Sequence, residues 1–401
     1  MTDHLYLTPH ERGPVLQSPF QIQAALMNIV FNSSPAPTLG IEVELQVVDQ
    51  ESLDHVVAAS RIVERLGHPL HIKHELFEST VEINTGICNT VADARRDLQE
   101  ALDRVYEICG EEGWTLISSG THPSTHWRDE VVSPFARYQQ LVERIQLPAR
   151  RLNIFGIHYH IGVDGPEKAI AVMNSLTTYL PHFLALSASS PFWIGSDTGL
   201  ASSRAKLFEV LPTAGLPYRM ENWGQFLRYM DALLSSRAIE SIREVWTDIR
   251  PHPDFGTVEL RVCDGMPTLT EICALAALAQ SVVVWLDRRY ESGQPLPLVS
   301  PWIVRENKWR AARYGIDADL ITADDGSLKP LLSSIRDLVE AVTPLAGELG
   351  CDKELGDLAK IIKRGPSYIR QRQVHELTGT CNEVTRSLVD ELRTDTFTPE
   401  P

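Results

Sequence analysis

Two carboxylates on one side of a predicted strand are the first sign of chemistry in this chain. In residues 40–49, GIEVELQVVD, the apolar Ile41, Val43, Leu45 and Val47 alternate with Gly40, Glu42, Glu44 and Gln46. A period of two marks a half-buried strand, so Glu42 and Glu44 share its polar side with no base between them. Neighbouring carboxylates repel, and burial would oppose ionising either. If that face is enclosed, it needs a positive partner, and a hard divalent cation takes several carboxylate oxygens. The alternative is an ordinary solvated sheet face.

The pattern recurs three times. Residues 153–164, NIFGIHYHIGVD, set Gly156, His158, His160 and Gly162 against Phe155, Ile157, Tyr159 and Ile161. Residues 255–264, FGTVELRVCD, set Thr257, Glu259 and Arg261 against Val258, Leu260 and Val262. Residues 74–84, HELFESTVEIN, are less regular: Glu78 and Glu82 are expected to share a face, with Glu75 joining them only through a bulge or bend. One such strand is easily a solvated face; four, separated by long helical segments, imply a single sheet with one chemically loaded side.

Glu42, Glu44, Glu82, His158 and Glu259 form the candidate metal set. Four carboxylates and one imidazole suit Mg²⁺ or Mn²⁺ better than Zn²⁺. One Mg²⁺ usually takes one or two carboxylates and keeps waters, so more than one ion and a phosphate co-ligand are expected. His160 alone is weak evidence for a further ligand. The cations follow. Arg261 shares the face of Glu259, where it reaches substrate or phosphate or else pairs with Glu82 or Glu42. Arg204 lies in a long loop, as an anion contact or a solvated charge. Residues 301–315, PWIVRENKWRAARYG, gather Arg305, Lys308, Arg310 and Arg313 around Asn307, either as a solvated helix face or as a phosphate-facing one. There is no GxxxxGK[ST] and no GxGxxG, so a nucleotide would be held by metal and Arg/Lys on a sheet.

The remaining composition narrows the classes. With 37 Lys and Arg against 53 Asp and Glu, the net charge is −16, which disfavours non-specific binding to nucleic acid or anionic membranes. Six cysteines without a CxxC read as reduced core thiols of a cytoplasmic protein. The N-terminus does not read as a signal peptide. No run approaches the ~18 apolar residues of a membrane span. The most apolar stretch, 272–286, follows the capping box Thr268/Glu271 and reads as a buried helix.

Further helices are expected at 21–32, 91–109, 135–145, 166–186 with a kink at Pro181, 223–244, 302–313, 328–348, 352–363 and 367–393. Short strands are expected at 115–119 and 246–249, and a long loop at 187–218. The simplest reading is an arm or helix over 1–37, a single α+β domain over 38–393 with a helical C-terminal third, and a tail over 394–401.

GIEVELQVVD, HELFESTVEINTG, GTHP, FGIHYHIGV, RPHPDFGTVELRVCD and NKWRAARYGIDADLI, in this order over roughly residues 38–375, resemble the glutamate–cysteine ligase type 2 family, which includes carboxylate–amine ligases. The resemblance implies a glutamine-synthetase-like catalytic fold: a curved antiparallel sheet binding Mg²⁺ and ATP on one face, with helices on the other. It implies ATP-dependent amide formation through an acyl phosphate, with L-glutamate and L-cysteine giving γ-glutamylcysteine. Glu42, Glu44, Glu82, His158 and Glu259 match the family's metal positions. Arg261 matches an arginine near the transferred phosphate, so Arg261 and Glu259 are expected at the reacting groups. Asn307, Lys308, Arg310 and Arg313 resemble its phosphate-side segment, with Lys308 standing where the family has arginine. With Arg204, these form the expected ATP contacts. Small-molecule substrates, no nucleic acid or membrane partner, and a homodimer are also implied.

Other readings remain open at this level. They are a same-fold ligase for another carboxylate and amine, a phosphotransferase on the same sheet, and a binding protein that keeps ATP and metal without turnover. A metal-dependent hydrolase of the amidohydrolase type fits less well, because two Glu-bearing strands precede the His-x-His pair and no βα alternation is visible.

Overall fold

The computed structural model describes residues 29–397. Its strands are β1 (Leu39–Asp49), β2 (Ile72–His74), β3 (Thr80–Asn84), β4 (Trp114–Ile117), β5 (Gly156–Gly162), the hairpin of β6 (Phe192–Trp193) and β7 (Ser196–Asp197), β8 (Ile249–His252), β9 (Thr257–Asp264), and the ribbon of β10 (Asp319–Ile321) and β11 (Leu328–Pro330). Seven of them form the central sheet in the order β2-β3-β1-β5-β9-β8, with β4 also on β1. All of its pairings are antiparallel.

β1 organises this sheet. Its first residues pair with β5, from Leu39↔Ile161 to Val43↔Ile157, and its last four pair with β4. Its other edge takes β3 from Glu42↔Asn84 to Gln46↔Thr80. Alternation then sends Ile41, Val43, Leu45, Ile157, Tyr159, Val258 and Leu260 into one core with the helices. The central helix of that layer, Leu269–Glu291, packs on β5 and against helices Val91–Glu112, Pro166–Leu176, Leu331–Leu349 and Asp352–Arg364. It starts as expected: Thr268 Oγ1 accepts the Glu271 N–H at 3.0 Å and donates to the Glu271 carboxylate at 2.9 Å. It is longer and more apolar than expected, with a window of mean hydropathy 1.8. That would be enough to cross a bilayer by composition, but 89% of the window is buried inside the fold.

The structure revises several boundaries. Residues 74–84 are not one strand: β2 ends at His74 and β3 begins at Thr80. Glu78 therefore does not share a face with Glu82; it turns back to accept the backbone and hydroxyl hydrogens of Ser60, at 3.1 and 2.8 Å. The span 367–393 is two helices, Ser367–Thr378 and Cys381–Thr394, divided where Gly379 adopts φ 75°. The helix from Pro166 is interrupted by a 3₁₀ turn, Thr177–Tyr179, just ahead of Pro181. The helix from Trp223 stops at Ser235, and the following strand is Ile249–His252, beyond the expected 246–249. The loop 187–218 contains the β6–β7 hairpin and a helix, Ser203–Phe208. All six cysteines are free, five of them buried. The expected helix at 21–32 falls almost wholly outside the described residues; at its end, Asn32 is tied by its N–H to Pro253 O at 2.9 Å.

Candidate active site on the polar face of the sheet

The side of the sheet turned away from the main helical layer is closed in by loops and by the short helices Ala136–Ile145 and Ser203–Phe208 to form a cavity of about 480 Å³. Register brings its chemistry together: Glu42 lies opposite His158, Glu44 opposite Glu82, and His160 opposite Glu259. A shift in the β5–β9 register beside His158 places Arg261 at the same point.

Two clusters result. In the first, Glu42, His158 and Glu259 each offer a ligand atom within 4.8 Å of the others. His158 Nδ1 is 2.9 Å from Glu42 Oε2, and His160 Nε2 is 3.6 Å from Glu42 Oε1. Burial would raise the Glu42 carboxyl, but hydrogen bonds and charge from the two histidines hold it well below the usual range. Burial, followed by the Arg261 charge, pushes His158 down to about 4, which leaves a neutral imidazole at neutral pH. Glu259 is 1% exposed and carries two guanidiniums. Arg250 Nε is 2.6 Å from Oε2 and its Nη2 is 3.3 Å from Oε1, while Arg261 Nη1 also contacts Oε1. Against the effect of burial, these arginines hold the carboxyl well below its usual range.

The second cluster is Glu44, Glu75 and Glu82, also within 4.8 Å. It has no such compensation. Burial raises Glu44 to about 7; Arg204 and the Gly156 N–H only partly oppose it, and Glu82 adds repulsion. Burial and then repulsion from Glu82 and Glu44 push Glu75 well above the usual range, and burial with repulsion from Glu42 raises Glu82. The cation paired with Glu82 is Lys73, 3.7 Å away and half exposed. Beside it, Asn84 donates to Glu82 at 2.8 Å and leaves its own Oδ1 buried without a partner. Hard oxygens, one neutral imidazole and an orphaned carbonyl oxygen fit Mg²⁺ or Mn²⁺.

A pH dependence follows from the second cluster. Between the ordinary value of 4.5 and the folded value of about 7, unfolded Glu44 has lost its proton while folded Glu44 keeps it. Stability therefore falls as pH rises through that window. A divalent ion bound to the carboxylates would offset the loss. Mg²⁺ is expected to raise the melting temperature more at pH 8 than at pH 5.5 in scanning calorimetry; equal or absent shifts would remove this cluster as a cation site.

Arg204 also reaches the cavity, from the helix Ser203–Phe208. Its side chain is buried, its Nε has no partner, and its carboxylate neighbour Asp264 is 3.8 Å away. Room for it depends on Gly156, where a Cβ would stand 2.1 Å from Arg204 Nη2. Gly156→Ala is expected to displace the guanidinium and reduce turnover roughly 10²-fold with the fold retained. Full activity in a folded G156A variant would exclude Arg204 from the reaction.

The basic helix is placed differently from the acids. It spans Pro301–Tyr314, and Asn307, Lys308, Arg310 and Arg313 are not among the residues lining the cavity. Asn307 brackets the Ile321 backbone with two 2.8 Å hydrogen bonds. Lys308 is 2% exposed and sits between Asp248 and Glu209, at 2.6 and 2.7 Å. Arg310 pairs with Glu306 at 2.9 Å, and Arg313 lies 4.9 Å from the Tyr314 ring. The ammonium of Lys308 acts from behind: Asp248 accepts the Arg261 N–H at 2.8 Å through its carbonyl, and Glu209 follows the helix that carries Arg204.

Sequence reasoning missed Arg250 and His252, both of which line the cavity. The available signal was the hairpin of β8 and β9, whose register sets Arg250 opposite Glu259 and His252 opposite Thr257.

Comparison with known proteins identifies the family and the fold. The model of glutamate-cysteine ligase family 2 (GCS2) matches residues 38–391. A protein of Frankia alni called "Putative glutamate--cysteine ligase 2-1" is 48% identical over 375 residues, covering 92% of this chain and 98% of its own length. A Thermobifida fusca relative, "Putative glutamate--cysteine ligase 2", is 46% identical over 374 residues, covering 92% and 94%. Among solved structures, glutamate–cysteine ligase from Francisella tularensis in complex with AMP aligns with a TM-score of 0.67 at 13% identity, covering 92% of this chain and 91% of its own. The fold is the α+β one expected from the sequence, an antiparallel sheet backed by helices, and it is shared with that glutamate–cysteine ligase structure. On a family match that runs from β1 into the last described helix, the chain belongs to glutamate–cysteine ligase family 2.

Proposed function

We propose that this protein is an ATP-dependent carboxylate–amine ligase working through an acyl phosphate, with L-glutamate and L-cysteine as its substrates. The observation that carries the reading is the cavity itself: Glu42, Glu44, Glu75, Glu82 and His158 line it together with Arg204, Arg250 and Arg261, and Glu259, which is not among the lining residues, is held by Arg250 and Arg261 and completes the first of two acidic clusters. Glu42, His158 and Glu259 would hold one Mg²⁺ and Glu44, Glu75 and Glu82 another, with Mn²⁺ as a substitute. The bound ions supply positive charge against the phosphates of ATP. Arg261, whose buried Nε has no partner, and Arg204 supply donors to the phosphoryl group in transfer. The substrate carboxylate attacks the γ-phosphorus and ADP leaves. The amine then attacks the acyl carbon, the C–O bond to phosphate breaks, and an amide and inorganic phosphate remain. No protein nucleophile is required.

The choice of glutamate and cysteine rests on the family and on the names of the relatives. Phosphate release from Mg·ATP across a panel of amino acids and amines, with mass spectrometry of the products, tests both levels. Release that requires a carboxylate and an amine, with a new amide mass, supports the ligase and names its substrates. A product heavier by one phosphoryl group, formed with ADP and without free phosphate, points to phosphotransfer, and binding of ATP without turnover overturns the enzyme reading. A homodimer in the cytoplasm, acting on small molecules alone, belongs to the same proposal and is tested by mass in solution.

A further inference from the structure

A buried histidine–carboxylate pair lies outside the cavity lining. The side chains of His55 and Glu130 are 4% and 2% exposed, with His55 Nδ1 2.5 Å from Glu130 Oε1. On the polar side of β1, the amide of Gln46 donates to Ser119 O and Oγ at 3.0 and 3.1 Å, so its oxygen turns to His55 Nε2 at 3.0 Å. Nε2 therefore carries a hydrogen, and a second hydrogen lies between Nδ1 and Glu130. The other Glu130 oxygen accepts the Ser79 hydroxyl at 2.6 Å. The pair thus joins β1 to the turn that precedes β3. From Glu130 the chain continues as a strap beside residues 75–78. Phe77 bridges Val132. Glu78 N–H donates to Val131 O and Ser133 N–H to Leu76 O, both at 2.9 Å. The Ser133 hydroxyl donates to the carbonyl of Glu75 itself at 2.6 Å. Glu75 lies on neither strand, since β2 ends at His74 and β3 begins at Thr80, so the strap fixes its backbone instead. The strap then opens the helix Ala136–Ile145, whose Arg137, Tyr138 and Leu141 line the cavity. No residue of that helix is fully buried. Polar ties hold it: Gln139 Nε2 to Ser133 O and Tyr138 OH to His74 O, each at 3.1 Å, and Arg144 to Glu244 at 2.5 Å.

We infer that His55 and Glu130 are positioning residues: through the strap 130–133, their clasp sets Glu75 in its acid cluster and the Arg137–Leu141 wall of the cavity in place. Neither residue lines the cavity, so both act through the backbone they hold. What the clasp supplies is a hydrogen bond of fixed direction. A glutamine at position 130 preserves it: the amide N–H donates to Nδ1 of a neutral His55, and the amide oxygen still accepts from Ser79. An alanine there removes both bonds and leaves the strap tied to residues 75–78 but not to β1.

This inference rests on the metal-binding reading of Glu75. It is tested on the full-length protein with Glu130→Ala, Glu130→Gln and Glu75→Gln. In the metal-free protein, hydrogen–deuterium exchange over 75–78 and 131–133 is expected to quicken roughly tenfold in Glu130→Ala, as for one or two lost hydrogen bonds. It is expected to keep the wild-type rate there in Glu130→Gln, and over β5 in both. Mn²⁺ titration, followed by electron paramagnetic resonance of the free ion, is expected to show about tenfold weaker binding in Glu130→Ala, matching Glu75→Gln, and wild-type binding in Glu130→Gln. Exchange that quickens over β5 as well would mark general loosening and overturn the positioning role. Wild-type Mn²⁺ binding by a folded Glu130→Ala would overturn it too, as would a Glu130→Gln as weak as Glu130→Ala. If Glu130→Ala does not fold, Ser133→Ala removes only the hydroxyl tie to Glu75 and is expected to weaken Mn²⁺ binding roughly threefold; wild-type binding by that variant would overturn the role. No Mn²⁺ binding by wild type would overturn the metal-binding reading, and the exchange comparison would then decide the clasp alone.

Discussion

Glu259→Gln is expected to lose at least ~10²-fold in turnover and about 3–5 kcal/mol in stability, because it removes the one carboxylate shared by two buried guanidiniums. The side chain is 1% exposed, with Arg250 and Arg261 on its oxygens. A neutral amide keeps one acceptor for them and supplies no charge, so both cations stay buried and unpaired. The stability contribution has a defined sign. The folded carboxyl is held well below its ordinary value, so its contribution is present above about 4.5 and is lost as pH falls through the folded value. The variant should therefore melt lower than wild type at pH 7, and the gap should narrow in acid. Denaturant melts at pH 7 and pH 4, beside phosphate release at pH 7, check both parts; an active variant of unchanged stability would remove Glu259 from the site as drawn.

Glu44→Gln is expected to behave in the opposite way in stability and the same way in activity. Glu44 is buried and repelled by Glu82, and its carboxyl is raised to about 7, so its ionised form strains the metal-free fold above that pH. A neutral amide of the same shape keeps an acceptor for the Gly156 N–H and removes one of three crowded charges. At pH 8 the metal-free variant should be more stable than wild type by about 1–3 kcal/mol. Turnover should still fall at least ~10²-fold, because the proposed metal site would lose a charged donor. Stabilisation by Mg²⁺ should shrink with it. A metal-free melt at pH 8 that is lower than wild type would show that Glu44 is compensated in a way the cluster does not display.

These opposed outcomes could not have been foreseen from the alternation of GIEVELQVVD, which treats Glu42 and Glu44 as equivalents. Alternation identified the strands and the shared side of Glu42, Glu44, His158 and Glu259, because period two depends only on local geometry. It could not assign neighbours. Histidines across one edge hold Glu42 down against burial, while burial, with repulsion from Glu82 across the other edge, raises Glu44. Arg250 was hidden for a related reason. RPHP reads poorly as a strand, yet Pro251 is tolerated on β8 because that strand lies at the end of the sheet order. Glu75 rather than Glu78 completes the acid cluster because of a turn that no periodicity reports. Lys308 looked like its neighbours on a basic helix, and only the distant Asp248 and Glu209 distinguish it as the buried one.

The order of the strands along the chain has a consequence for synthesis. β1 pairs with β5, and β5 with β9, so Glu42 and Glu259 meet across more than 200 residues of intervening chain. At about 5–20 residues per second, β1 waits on the ribosome for on the order of tens of seconds before β9 exists. Through that interval the growing sheet has an unfinished edge, a template for pairing with other nascent chains. The same acids that later face the cavity keep that surface charged and poorly suited to self-association. Glu44→Gln would then be the more stable finished protein and the more aggregation-prone unfinished one. Comparing its soluble yield with its melting temperature would separate the cost of holding the charges from their use during birth of the chain.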